Sequence, residues 1–230
     1  MSPEDLAARL LYRDALILII DKPAGLPVHA GPKGGAHLEQ FLDGLRFGLP
    51  AAPALAHRLD KDTSGCLVLG RHRQATARLG ALFAGGEVRK TYWAVVVGGP
   101  PQDTGVIDVP LSRRSHDRRS WWMKVDAAGQ PSQTAWTVLG RGGGVSFVEL
   151  QPQTGRTHQL RVHLAHLGCP IVGDGVYGGD RARGVDRHMH LHARQVVIPY
   201  HAKKPVISAV AAVPAHMKAL IALASGREIG

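Results

Sequence analysis

Acidic side chains are scarce in this sequence. Its 230 residues hold 18 Asp and Glu against 28 Lys and Arg, a formal net charge of +10 with an isoelectric point near 10.1. Long apolar runs are missing too: no stretch approaches the roughly 18 residues needed to span a bilayer as a helix, so no membrane segment is expected. The opening residues, MSPEDLAARL, lack a basic segment followed by an apolar one, so no secretory signal is expected and the predicted location is the cytoplasm. Only two cysteines occur, Cys66 and Cys169, far apart and without metal-site spacing, which predicts two buried thiols in a reducing compartment. GPKGGA (31–36) is followed by no Lys-Ser or Lys-Thr, which excludes a phosphate-cradling P-loop. No repeat, low-complexity tract or linker is visible.

The positive charge is spread along the chain, at Arg71 and Arg73, Arg89 and Lys90, Arg113 to Arg119, Arg156 and Arg161, and Arg181 to Arg187. Charge distributed in this way forms a basic face or groove on folding, and a polyanion is the partner such a face selects, because neutralising phosphates releases counterions. The bland alternative is a simply soluble basic protein.

The pattern predicts one mixed α/β (α+β) domain over residues 1–230, with much antiparallel sheet and room for two lobes. ALILIIDKPAG reads as a buried strand ended by Lys-Pro and Gly25, and AHLEQFLDGLRFG as a helix with Leu38, Phe41, Leu42 and Leu45 on one face. CLVLG (66–70) is a short strand, and RQATARLGALFAGG a helix stopped by Gly85. Strands follow in KTYWAVVVGG, VIDVPL, SWWMKV, SQTAWTVL and VSFVELQ, and later in ARQVVIPY and PVISAVAA. RTHQLRVHLAHLG is a helix with Leu160, Leu164 and Leu167 on one face and Gly168 at its end. PAHMKALIALASG is another, with Pro214 in its first turn.

Three stretches could carry chemistry. HRLDKDTSG (57–65) places Asp60 just before an apolar strand, with Arg58 and Lys61 able to touch phosphates and to keep the carboxylate ionised, as a nucleophile or base must be. A solvated loop would explain the same charges. In LQPQTGRTHQLRVHLAHLG (150–168), Arg156 and Arg161 are five residues apart, so one can reach a ligand while the other pairs inward. Arg161 lies between Leu160 and Val162 and calls for a buried carboxylate, for which Asp60 is a sensible partner. A surface salt bridge is the alternative. In RKTYWAVV (89–96), Lys90 and Tyr92 alternate onto one strand face, where Tyr92 could stack on a base or simply pack in the core.

Other stretches have weaker claims. SRRSHDRRSWWMK (112–124) could be an RNA clamp of phosphate-binding arginines and stacking tryptophans, or a solvated hairpin with a tryptophan in the core. RHMHLH puts His188, His190 and His192 on one strand face, but no Cys or carboxylate stands obviously beside them, so no metal is expected. GVYGGDRARGVDRH (175–188) reads as a mobile loop near the site.

The motifs KPAGLPVH (22–29), HRLDKDTSG, RKTYWAVV, LQPQTGRTHQLRVHLAHLGCPIVGDGVYG (150–178) and LHA (191–193) occur in this order and span nearly the whole chain. In them the sequence resembles the RluA-type RNA pseudouridine synthases. The resemblance implies a catalytic domain with a largely antiparallel sheet flanked by helices and a central RNA-binding cleft. It implies Asp60 as the essential aspartate, Arg161 as the arginine that ion-pairs with it, Tyr92 as the residue packing on the target uracil, and Arg58 as the arginine that enters the RNA stack when the base flips. Leu191 matches more weakly, as an apolar lining of the pocket. Lys61, Arg156, Arg113, Arg114, Arg118 and Arg119 are the further RNA-binding candidates. Neither cofactor nor metal is needed.

The reaction so implied breaks the C1′–N1 bond of uridine, turns the base, and joins C5 to C1′, on a base drawn out of its stack. The expected partner is a tRNA or rRNA stem-loop, and the protein is expected to act as a monomer. Many relatives carry an N-terminal RNA-binding S4 domain; with the first strand expected near residue 16, none is expected here. Two other classes compete. One is a non-catalytic RNA-binding or RNA-folding protein on the same fold. The other is a glycosidase using Asp60 and Asp62, for which a solvated Asp62 is the simpler reading.

Overall fold

The computed structural model describes residues 2–31, 34–115 and 121–228. The chain forms two compact units, one of residues 1–90 and 193–212, the other of residues 91–192 and 213–230. Elements are numbered along the chain.

The first unit opens with α1 (Pro3–Ala7), whose N-cap Ser2 accepts from Asp5 N–H at 3.2 Å while the Asp5 carboxylate takes the Ser2 N–H at 2.7 Å. Then come β1 (Leu10–Arg13), β2 (Ile17–Lys22), a short β3 (Ala54–Leu55), β4 (Ser64–Gly70) and α2 (Arg73–Ala84). β1, β2 and β4 pair antiparallel in that order. The run Ile17–Ile20 is continuously apolar because β2 is buried on both faces. Ile17 and Ile19 join Cys66 and Val68 of β4 and Leu79 and Leu82 of α2 in one cluster. Leu18, Ile20, Leu67 and Leu69 point the other way and are equally buried.

The expected helix over residues 36–48 is a 3₁₀ helix, Leu38–Leu45, that still buries Leu38, Leu42 and Leu45. The i→i+3 bonds Gln40 N to His37 O and Arg46 N to Asp43 O tighten it. Asp43 and Gly44 are weak formers of the wider α turn.

In the second unit β5 (Arg89–Val97, whose first two residues belong to the first unit) pairs with β10 (Val145–Pro152), which pairs with β9 (Gln133–Gly142), and β9 with β6 (Thr104–Asp108), all antiparallel. α3 (Gln159–His166) covers one face: Leu160 and Leu164 pack with Ala94, Val96, Val148 and Leu150. The opposite face, Val95, Val145 and Phe147, meets Met217, Ile221 and Ala224 of α5 (Ala215–Ser225). Each such buried aliphatic side chain stabilises the unit by roughly 2 kcal/mol before conformational entropy is counted. β7 (Leu111–Arg113) and β8 (Met123–Val125) form a separate hairpin, shorter than SWWMKV suggests, because Trp121 and Trp122 lie outside it. Residues 175–188, expected as a mobile loop, contain the short α4 (Gly179–Arg183).

The chain returns to the first unit through β11 (Leu191–Ile198), which lies beside β4 and pairs antiparallel with β12 (Ile207–Val210). Gly65 is required there: its φ is +105°, and a Cβ would collide with the carbonyl of Ala193. Pro214 sits at the N-cap of α5, one place before the expected first turn, and Gly168 closes α3 with φ +80° as expected. Gly85 caps α2 in a right-handed conformation, and the left-handed position falls on Gly86. Among the described residues no helix is long and apolar enough to cross a membrane.

Candidate functional site

In the first unit, HRLDKDTSG forms the turn that feeds β4. Thr63 N–H closes it onto the Asp60 carbonyl at 3.2 Å, and Asp60 is half-buried while Arg58, Lys61 and Asp62 are exposed. The turn is anchored from below by Lys22, at the end of β2. Its side chain is fully buried, and Nζ donates to the carbonyls of Pro23 at 2.8 Å, Leu26 at 2.9 Å and Lys61 at 3.0 Å. The Lys61 carbonyl also accepts Gly25 N–H at 3.0 Å. Burial pushes the Lys22 ammonium down to about 8, against the charges of Asp62, Asp60 and Asp21, which hold the proton on. Three carbonyls and three carboxylates thus fix one buried cation beneath the loop that carries Asp60. Lys22 was missed as an anchor in the sequence, although the Lys-Pro that ends the strand marks its place.

His57, the first residue of the motif, turns inward. Its Nε2 accepts Val68 N–H at 3.0 Å, and its ring stacks on Phe83 with centroids 4.3 Å apart. Burial, reinforced by the Lys90 charge, pushes the imidazole down to about 3 from an ordinary 6.5. The unfolded chain therefore binds a proton between those values that the folded chain does not, so stability falls as pH drops through that window. The thermal midpoint is expected to decline steadily from about pH 6.5 to about pH 4. His57→Gln, whose amide oxygen can still accept from Val68, should flatten the decline; an unchanged slope would exclude His57 as a source.

The second unit holds the other candidates. Tyr92 sits on β5 opposite Leu150, half-buried against the same cluster that contains Leu160 and Leu191. The structure thus brings Tyr92 and Leu191 to one apolar patch. Trp93 takes the other strand face, as the alternation predicts: it packs edge-on against Phe147 at 5.0 Å and donates to Glu149 at 3.3 Å.

α3 has no solvated face over its first six residues, Gln159 to Leu164, so each polar side chain needs a partner. Gln159 has four: Nε2 donates to the Gln133 carbonyl and to Thr134 Oγ1, each at 3.0 Å, and Oε1 accepts from Thr154 Oγ1 at 2.7 Å and Arg156 N–H at 3.0 Å. That staples the Thr-Gly-Arg turn to β9. His163 bridges Thr134 Oγ1 at 2.9 Å and the Val109 carbonyl at 3.3 Å. Arg161, 6% exposed, forks onto Asp174, itself fully buried, through Nε at 2.7 Å and Nη2 at 2.9 Å. Burial pushes the Asp174 carboxyl up, but the Arg161 hydrogen bonds and charge, with the Tyr177 and Val176 amides, outweigh it and hold it below the ordinary carboxylate value. Arg156 points outward and donates Nε to the Pro131 carbonyl at 3.2 Å. The two arginines divide as their spacing suggests, one inward and one outward; the carboxylate on the Nε–Nη2 edge is Asp174, which the sequence did not single out.

On the hairpin, Arg113 lies over the Trp121 ring at 5.2 Å and Arg114 over Trp122 at 5.7 Å. The tryptophans are 41% and 48% exposed, so neither is the core residue that the bland reading of this segment supplies. Two RNA-binding candidates, Arg118 and Arg119, lie outside the described residues. The histidine run does have a carboxylate neighbour, contrary to expectation: Asp186 meets His188 Nδ1 at 2.9 Å and His190 Nε2 at 3.1 Å. Even so, among the described residues no group of three or more His, Cys, Asp or Glu is arranged to hold a metal ion. Both cysteines are free and buried, and burial raises the Cys66 thiol to about 12 and that of Cys169 to about 11.

Comparison with known proteins agrees with the motifs. Residues 16–166 match the RNA pseudouridylate synthase family. An uncharacterised RNA pseudouridine synthase of Zymomonas mobilis is 46% identical over 202 residues, which cover 87% of this chain and 92% of that protein. The ribosomal large subunit pseudouridine synthase D of Xanthomonas campestris is 41% identical over 182 residues, covering 77% of this chain and 54% of that one. The solved structure of human RNA pseudouridylate synthase domain containing 4 superposes with a TM-score of 0.77 at 31% identity, covering 94% of this chain and 92% of that chain. The chain belongs to the RNA pseudouridylate synthase family. Its activity is the isomerisation of uridine to pseudouridine within RNA.

Proposed function

We propose that this chain modifies a uridine in a structured stem-loop of tRNA or rRNA, acting as a monomer in the cytoplasm. Asp60 is the reacting carboxylate and Arg161 its cationic partner. Tyr92 packs on the uracil, Leu191 lines the pocket, and Arg58 enters the RNA stack in place of the flipped base. Flipping costs a few kcal/mol of stacking, which contacts to the extruded base must offset. The observation that carries this reading is the setting of the Asp60 turn: a buried lysine with three carbonyl partners holds it, so the carboxylate is positioned before RNA arrives. An exposed, solvated loop would need no such anchor. Asp62, two residues on and exposed, offers no buried second acid of the kind a glycosidase uses. The buried free thiols suit a reducing compartment.

Phosphate contacts are assigned to Lys61, Arg156, Arg113, Arg114, Arg118 and Arg119, with the two Arg–Trp stacks adding faces on which unpaired bases can lie. Replacing Arg113, Arg114, Arg118 and Arg119 together by alanine should reduce the salt dependence of RNA binding by up to about three units of log K against log[salt], near 0.7–0.9 for each phosphate no longer neutralised. An unchanged slope would remove the hairpin from the interface.

The proposed function is tested by treating total RNA from a strain lacking the protein with the purified chain, then mapping carbodiimide-adduct stops across tRNA and rRNA. New stops at one or a few uridines in stem-loops are expected. New stops only in unstructured RNA would overturn the substrate class. None at all would overturn the reading.

A further inference from the structure

Within the second unit, Tyr177 touches both the basic hairpin and the buried arginine. Its ring lies over the Arg161 guanidinium at 5.1 Å. Its backbone N–H donates to Asp174 Oδ1 at 3.2 Å, the oxygen that takes Arg161 Nη2, so Asp174 sets the tyrosine and the arginine together. Its hydroxyl accepts Met123 N–H, the first residue of β8, at 2.9 Å. The same hydroxyl lies 2.8 Å from His158 Nδ1.

His158 is itself in an unusual place. It is the N-cap of α3 with φ +52° and ψ +18°, a left-handed region that a side chain bearing a Cβ occupies only under strain. Glycine or asparagine would sit there more easily. The strained backbone brings the imidazole to the tyrosine hydroxyl, with the two rings edge to face at 5.7 Å. The hairpin strand next to Trp122 is therefore hydrogen-bonded to a residue stacked on Arg161, three residues along α3 from the strained cap.

We infer that Tyr177 is a positioning residue through which RNA seated on the Arg113–Trp121 and Arg114–Trp122 stacks sets the Arg161 guanidinium. The inference rests on the proposed function. RNA that braces the hairpin also braces the Met123 N–H, already bonded to the Tyr177 hydroxyl, and so the ring that covers the arginine. RNA that binds elsewhere on the basic surface does not brace the hairpin, so the arrangement couples correct seating to reaction rather than adding affinity.

The test uses the full chain in excess over total RNA labelled with [5-³H]uridine, taken from a strain lacking the protein. Isomerisation joins C5 to C1′ and releases the C5 tritium, so single-turnover release gives a saturated rate and a half-saturating protein concentration. Tyr177→Phe keeps the ring over Arg161 and loses both hydroxyl bonds. It should lower the saturated rate by about tenfold, within the roughly hundredfold that a 1 Å misplacement near the reacting groups can cost, and move half-saturation by less than about threefold. Trp121→Ala with Trp122→Ala should lower the saturated rate and raise the half-saturating protein concentration in the wild-type background. In the Tyr177→Phe background it should affect only half-saturation, because the hairpin no longer reports to Arg161. His158→Asn, which suits the left-handed backbone, should give the same split should Tyr177→Phe fail to fold. A wild-type saturated rate in Tyr177→Phe, or effects of hairpin and tyrosine that simply multiply, would overturn the inference. No tritium release by the wild-type protein would instead overturn the proposed function, and the inference with it.

Discussion

Asp60→Asn is expected to abolish pseudouridine formation while leaving RNA binding within about twofold of wild type. The loss should be at least about a thousandfold, the scale seen when a group that acts on the reacting atoms is removed. The substitution keeps the shape of the side chain and removes its charge, so the turn closed by Thr63 N–H on the Asp60 carbonyl, a backbone contact, persists. One secondary effect is predictable. Asp60 is among the three carboxylates that offset the burial of Lys22, and without it the buried ammonium is harder to keep charged. A modest fall in thermal midpoint should accompany the loss of activity, and binding should be compared at a temperature where both proteins are folded. The readouts are tritium release, carbodiimide stops and filter binding on the same RNA. Residual isomerisation within tenfold of wild type would show that another group does the chemistry. Free uracil as product of the wild-type protein would show a glycosidase. Equal cellular effects of wild type and variant would point to RNA binding or folding as the role that matters.

Much of this site was legible because its parts are local. The β4 strand, the Asp60 turn before it and the Gly168 stop of α3 follow from patterns a few residues long. The inward turn of Arg161 was legible as well, since a cation flanked by Leu160 and Val162 must have a partner. Its Asp174 partner was not, because 13 residues and the end of a helix separate them and no periodicity joins them. Tyr177 and Gln159 were illegible for the same reason: each acts by bonding to segments distant in sequence, and Tyr and Gln in isolation read as packing and surface. The two tryptophans misled in the opposite direction. Their size argues for the core, yet an arginine lying over each ring lets them stay at the surface. What the other residues of the matched motifs contribute is support: Lys22 beneath one loop, and Asp174, Tyr177 and His158 around one arginine.

Asp174→Ala should destabilise the protein by about 3–5 kcal/mol, the range for removing one partner of a buried ion pair. The fork on Arg161 Nε and Nη2 is lost, as are the acceptors of the Val176 and Tyr177 amides at 3.0 and 3.2 Å, so the cost includes a turn as well as a charge pair. Urea unfolding monitored by tryptophan fluorescence measures it. The pH dependence separates the charge from the packing. The Asp174 carboxyl is held below its ordinary 3.8 in the folded state, because the arginine and the two amides outweigh its burial. Its contribution is therefore fully present above the unfolded value and is lost as pH falls through the lower folded one. The wild-type urea midpoint should drop further as acid is added below about pH 4, and Asp174→Asn should lack that part of the drop. This window lies mostly below that of His57, whose effect begins at 6.5, so the two groups can be told apart in one titration. A loss under about 1 kcal/mol in Asp174→Ala would mean that another partner holds the buried guanidinium as well as this carboxylate does. Arg161 would then be set by something other than this fork, and the path from the hairpin through Tyr177 would lose its fixed end.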